Sequence, residues 1–304
     1  MPPELTDLTE ELISRPGQAI GIPLALVGAV FLSLGAQFQH SGVIKVEQHH
    51  GTGTPGLSMR QLMLLLSRPA WVMGTLMLGL AIVLQLLSLR FSPLIVVQPL
   101  GAIALVITSI LNARVTRTPL NRRTIRAIVL CVGGVGLFVT IAAFTAVESV
   151  IRDRQLVIIL VILAVVLTLF FVAFLFLRHH VPAVGYIIGA GVLYGFVATL
   201  AKVVINRLVQ GDFEWLTLLC LAGLLAAAAL GAYFVQTAYS AGPPDLVIAG
   251  LTVIDPMVAV AIGVVVLGEA QAAPLYAVFA FVVAGAIAVF GVFDLAKHHP
   301  QTQR

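Results

Sequence analysis

The sequence predicts an all-α polytopic membrane protein of about nine transmembrane helices, with a tenth membrane element left open, in two inverted structural repeats. Three observations predict it. The 304 residues are 60% hydrophobic and only 10% charged, with mean hydropathy +1.08, where a soluble domain carries about a quarter charged residues. Nine apolar windows reach the roughly 20 residues needed to cross a bilayer. Two of them hold nearly the same proline-interrupted segment, Leu94-Ile95-Val96-Val97-Gln98-Pro99 and Leu251-Thr252-Val253-Ile254-Asp255-Pro256.

Residues 1–17 form a polar segment in which Glu4, Asp7, Glu10 and Glu11 outweigh Arg15, the wrong charge for a signal peptide. The first span, 18–41, repeats glycine every seven residues at Gly21, Gly28 and Gly35. The polar stretch 46–60 is too short to fold alone, and its run Gly51 to Gly56 lacks the strand, helix and lysine of a phosphate loop. Leu62 to Leu66 is too brief to span. As a re-entrant element it would raise the count to ten and reverse the N-terminus.

Spans follow at 69–90, 93–113, 123–146 and 155–177. The span 155–177 has no glycine or proline and is apolar all round, as a helix facing lipid would be. It reads as a linker. The last four spans are 183–208, 214–239, 245–267 and 272–295. Glycine clusters at Gly133, Gly134 and Gly136, and at Gly185, Gly189, Gly191 and Gly195, suit close helix packing or a moving contact between halves. The domain plan is therefore 1–17, a first repeat 18–146, a linker 147–182, a second repeat 183–296 and a tail 297–304. Cys131 and Cys220 both fall inside spans, so no structural disulfide is expected.

Orientation follows the lysine and arginine count. Arg114, Arg117, Arg122, Arg123 and Arg126 mark one loop as cytoplasmic. Nine spans put eleven basic loop residues on that side and five on the other. The C-terminus is then inside, in a cell-membrane protein.

A pair of interrupted spans at matching places in two halves points to a transporter's binding site. A proline removes one helical hydrogen bond and frees a carbonyl, at Ile95 and Thr252 here. Pro99 and Pro256 are expected at one central cavity. Asp255, a carboxylate near mid-span, is a substrate or coupling group, or a protonated acid bonded to a neighbour. Gln98 is its first-half counterpart. Gln85, Gln236 and Tyr194 are further cavity candidates, as amides and a phenol inside spans. Lys202, which shares a helix face with Thr199 and Asn206, pairs with Asp255, binds an anion or snorkels to the interface. The pairs His49-His50, His179-His180 and His298-His299 lie at membrane edges or in loops, and adjacent residues do not share a helix face. No metal site, catalytic residue or cofactor is expected, and no enzyme motif is present.

The stretch Ser88-Leu89-Arg90-Phe91-Ser92-Pro93-Leu94-Ile95-Val96-Val97-Gln98-Pro99-Leu100-Gly101-Ala102 resembles the NIPA-type magnesium transporters. The second half, from Ala238 through Pro243-Pro244-Asp245 and Ile254-Asp255-Pro256 to Gly268-Glu269, resembles an EamA repeat. Both belong to the drug/metabolite transporter superfamily, in which a Gly-Glu pair commonly closes the proline-bearing helix. Where NIPA-type proteins carry an acid in the second span, eleven positions before the proline matching Pro93, this chain has Ile82. The basic run Arg114-Val115-Thr116-Arg117 stands where the first half would carry its Gly-Glu. The resemblance implies a secondary transporter.

The leading expectation is alternating-access transport of a small solute, metabolite or drug. Magnesium or another divalent cation is the alternative, and a non-transporting membrane scaffold the third. The expected partners are the small-molecule or ion substrate and the lipid bilayer, with a homodimer open and nucleic acid excluded.

Overall fold

The structure, a computed structural model, describes residues 16–50, 67–115, 121–147, 151–177, 183–211, 214–241, 244–271 and 273–297. Its elements are α1 (Pro16–His50), α2 (Pro69–Phe91), α3 (Leu94–Leu100), α4 (Ala102–Val115), α5 (Arg122–Thr145), α6 (Asp153–Leu177), α7 (Ala183–Gln210), α8 (Trp215–Ala241), α9 (Pro244–Ile262), a π-helical turn Gly263–Leu267 and α10 (Leu275–Lys297). No strand occurs among the described residues, and nine helical stretches there are long and apolar enough to cross a membrane. The Leu62–Leu66 cluster lies outside the described residues, as do the pairs His179-His180 and His298-His299.

Two expectations change. The α1 helix runs on to His50, so the polar stretch expected from residue 46 begins as helix. Once nucleated, helix propagates through residues of ordinary propensity, and the next proline after Pro23 is Pro55. The matched prolines also behave differently. In the first half the span breaks into α3 and α4 at Gly101, whose N–H bonds to Gln98 O at 3.1 Å. In the second half α9 passes straight through Pro256, and the irregularity comes later, at the π turn.

The glycines explain the packing. The α1 and α2 helices lie antiparallel along the Gly21, Gly28 and Gly35 seam. A Cβ at Gly35 would fall 3.0 Å from Gly74 O, so the backbones touch as they do in small-residue membrane interfaces. A second seam joins α7 and α9 in parallel. A Cβ at Gly191 would meet Ile254 and one at Gly195 would meet Val258, each at 2.6 Å. The α5 helix packs on α10, and α7 on α8. Gly35→Leu is therefore expected to force α1 from α2 and cost about 1–3 kcal/mol through overpacking. A lowered midpoint of thermal unfolding in detergent checks it. Gly133→Leu is the control, since nothing lies within 4 Å of a Cβ there.

The α6 helix is peripheral. Only Leu156, Ile159 and Leu163 of its described side chains are fully buried, while Val161, Val165, Leu169 and Phe171 face outward. It is tied down at its start. Gln155 Nε2 donates to Val266 O at 3.2 Å, satisfying a carbonyl of the π turn, and Arg207 of α7 pairs with Asp153. The α3 helix is the opposite case, with Leu94, Ile95, Val96 and Val97 all 0–1% exposed.

Candidate substrate cavity and the junction beside it

The short α3 helix and α9 approach each other at their prolines. Pro99 and Pro256 line one small apolar pocket of about 100 Å³ with Phe138 and Met257. Next to it lies a larger cavity of about 410 Å³. Its polar lining comes from Gln85 on α2, Gln98 on α3, Tyr194 on α7, and Thr252 and Asp255 on α9. Aliphatic side chains, among them Leu32 and Ile82, complete it. Thr252 spends its hydroxyl on Ile248 O at 2.8 Å.

Asp255 is the chemically distinct group in this cavity. Its Oδ1 is enclosed and has no hydrogen-bond partner among the described residues. A buried polar atom without a partner costs a large part of a hydrogen bond, and more in a lipid setting. The residue lines the cavity while this oxygen is shielded within the protein. Among the described residues no three His, Cys, Asp or Glu side chains come together as a metal cage.

Two candidate residues stand elsewhere. Gln236 lies on the exposed face of α8, away from the cavity. An amide in an apolar span marks polarity but not the direction in which it points. Lys202 is buried, 2% exposed, but its Nζ donates to Glu269 Oε1 at 2.9 Å and to Ser92 O at 3.2 Å. The Lys202–Asp255 pair is therefore replaced by Lys202–Glu269. The reason is register. Asp255 lies level with Gly191 across the α7–α9 seam, and Lys202 is eleven residues further on, about 16 Å at 1.5 Å per residue.

Glu269 forms a junction that its place in the sequence hides. It follows Gly268, whose φ of +73° is a conformation glycine adopts without penalty. That turn sends the chain back over Gly263. A Cβ there would sit 2.7 Å from Glu269 Oε2, so the carboxylate needs glycine beneath it. The carboxylate then reaches the N-terminus of α3, accepting from Leu94 N and Ile95 N, each at 2.9 Å. The first N–H groups of a helix have no partner within it, and Pro93 supplies no side-chain cap. Glu269 caps them from the other half of the chain. Its own backbone is held too, with Val147 N donating to Glu269 O at 2.8 Å and Glu269 N to Gly263 O at 3.0 Å. A lysine buried in a span requires a counter-charge, and Glu269 is the next acidic residue after Asp255. That was the available signal.

A curated relative, an uncharacterized protein of Corynebacterium glutamicum, is 27% identical over 253 residues, 82% of this chain and 85% of the relative. No solved structure matches the chain. The family model "Magnesium transporter NIPA" matches residues 17–204, from α1 to beyond Lys202 on α7. The match covers more than half of a multi-pass membrane protein, and the chain belongs to the NIPA magnesium transporter family.

Proposed function

We propose that the protein is a secondary transporter carrying a hydrated divalent cation, magnesium in the first place, through the cavity at Asp255 by alternating access. The observation that carries this is a carboxylate residue, Asp255, in the wall of a cavity of about 410 Å³. Magnesium dehydrates reluctantly and is usually held by one or two carboxylates while keeping several waters. Six waters at about 30 Å³ each occupy about 180 Å³, which the cavity accommodates. Gln98, Gln85 and Tyr194 offer oxygens to the ion's waters rather than to the ion. The family membership supports the same substrate.

The two-repeat plan is part of this proposal. Its support is a packing pattern that recurs: α1 packs on α2 and α4, as α7 packs on α8 and α9. The orientation is also proposed, with the arginine-rich start of α5 and the end of α10 in the cytoplasm of a cell-membrane protein.

A second reading, a small organic solute, is favoured by the aliphatic share of the wall, Leu32, Ile82 and Leu251. Reconstitution in liposomes loaded with a magnesium-sensitive dye separates the two. The expected result is magnesium influx above that of protein-free liposomes, unaffected by an excess of small metabolites. Flux at the protein-free level, with uptake of an organic solute instead, would reverse the order.

A further inference from the structure

We propose that Glu269 and Lys202 are a gate: their closed ion pair seals the cavity from the membrane face that carries Ser92 and Val147, and the pair parts when that face opens. The proposal rests on the alternating-access reading and adds the residues that switch access.

Three independent features of the geometry lead there. The junction joins the two halves of the chain at one point. Lys202 and Glu269 come from the second half, and their partners Ser92 O, Leu94 N and Ile95 N from the first. It also stands over a plug. Between the junction and Gln98 lie Leu94 to Val97, buried within 0–1% exposure, a packed apolar segment between the ion pair and the cavity wall. Finally, the plug is a separable unit. The α3 helix is seven residues long, bounded by Pro93 and by the break at Gly101. On the other side of the contact, Glu269 follows a π turn and a left-handed glycine. Hinges are a few element-terminal residues that absorb backbone change, and both partners are mounted on such residues.

The gate is one-sided. On the opposite face Arg126 pairs with Asp294 at 3.0 Å, but that arginine is exposed, so the pair is open to water. Among the described residues the buried ion pair with two helix-capping hydrogen bonds lies on the junction's face, which makes closure of that face the resting state.

The test is accessibility of a cysteine at the junction. Ser92→Cys is placed in a Cys131→Ala, Cys220→Ala background, both native cysteines being buried. A membrane-impermeant maleimide is applied to both sides of proteoliposomes. In the otherwise unchanged protein, labelling should be far slower than at an Arg152→Cys control on the exposed surface. In Lys202→Met/Glu269→Gln, which leaves no lone charge, labelling of Ser92→Cys should rise about tenfold or more, the mark of a closed population shifted by a decade. Glu269→Asp keeps the charge, shortens the reach and should give an intermediate rate. It serves as the deciding variant if the double variant does not fold. Equal rates in all of these proteins would overturn the gate. Magnesium flux on the same vesicles separates the two ideas. Faster labelling with no flux in any protein would leave the gate standing and overturn the transport reading. Flux in the unchanged protein with no labelling difference would overturn the gate alone.

Discussion

Asp255→Asn is expected to lower magnesium flux by about 10- to 100-fold while the protein inserts, purifies and elutes as the unchanged chain does. The substitution keeps volume and removes the charge. Hydrogen bonds to a charged group contribute about 1.5–3 kcal/mol, which converts to that range of rate or affinity at about 1.4 kcal/mol per decade. Stability should hold, because Asp255 Oδ1 has no partner among the described residues to lose. An asparagine there removes the cost of a charge in the membrane interior, about 2.5–3.5 kcal/mol on insertion scales, so the variant should be no less stable to heat. Asp255→Glu should retain part of the flux, since a cavity of about 410 Å³ tolerates one more methylene. Normal flux in Asp255→Asn would remove the carboxylate from the mechanism. Lost flux together with a collapsed, aggregated protein would mark it as a folding residue instead.

That Asp255 could be singled out from sequence has a physical reason. A charge in an apolar run is expensive, so it declares itself, although the proline after it leaves α9 unbroken. The same logic found Gln98, Gln85 and Tyr194, all of which line the cavity. It failed for Gln236, because polarity within a span carries no angular information unless neighbouring elements are known, and α8 turns that residue outward. The heptad glycines of α1 were legible as a packing stripe because close backbone approach demands small residues at a fixed period. Their partner Gly74 was not, since its contact is set by how α1 and α2 are joined. The nine spans were legible from length and apolarity alone. The extension of α1 to His50 and the π turn before Gly268 were not, because each depends on local hydrogen bonding that hydropathy ignores. Glu269 was read only as the closing residue of a helix. Its function arises from a turn that folds it back over Gly263 onto α3, residues far apart in the chain.

The second large effect is expected from Lys202→Met. Removing one partner of a buried pair costs about 3–5 kcal/mol, while replacing both is often close to neutral. Here Lys202 and Glu269 are 2% and 1% exposed, so neither can turn to water. With Lys202 gone, Glu269 keeps only the two α3 N–H groups to balance its charge. Thermal unfolding in detergent should therefore move sharply down for Lys202→Met, and as sharply for Glu269→Gln, which strands the ammonium beside Ser92 O. The double variant Lys202→Met/Glu269→Gln should recover a large part of the loss. Recovery should stop short of the unchanged protein, because a neutral amide caps Leu94 N and Ile95 N less well than a carboxylate does, charge-assisted hydrogen bonds being roughly twice as strong as neutral ones. The coupling between the two sites, read as the departure from additivity, isolates the pair. Strict additivity of the two single losses would mean that the ion pair contributes nothing and that Glu269 acts only as the cap of α3.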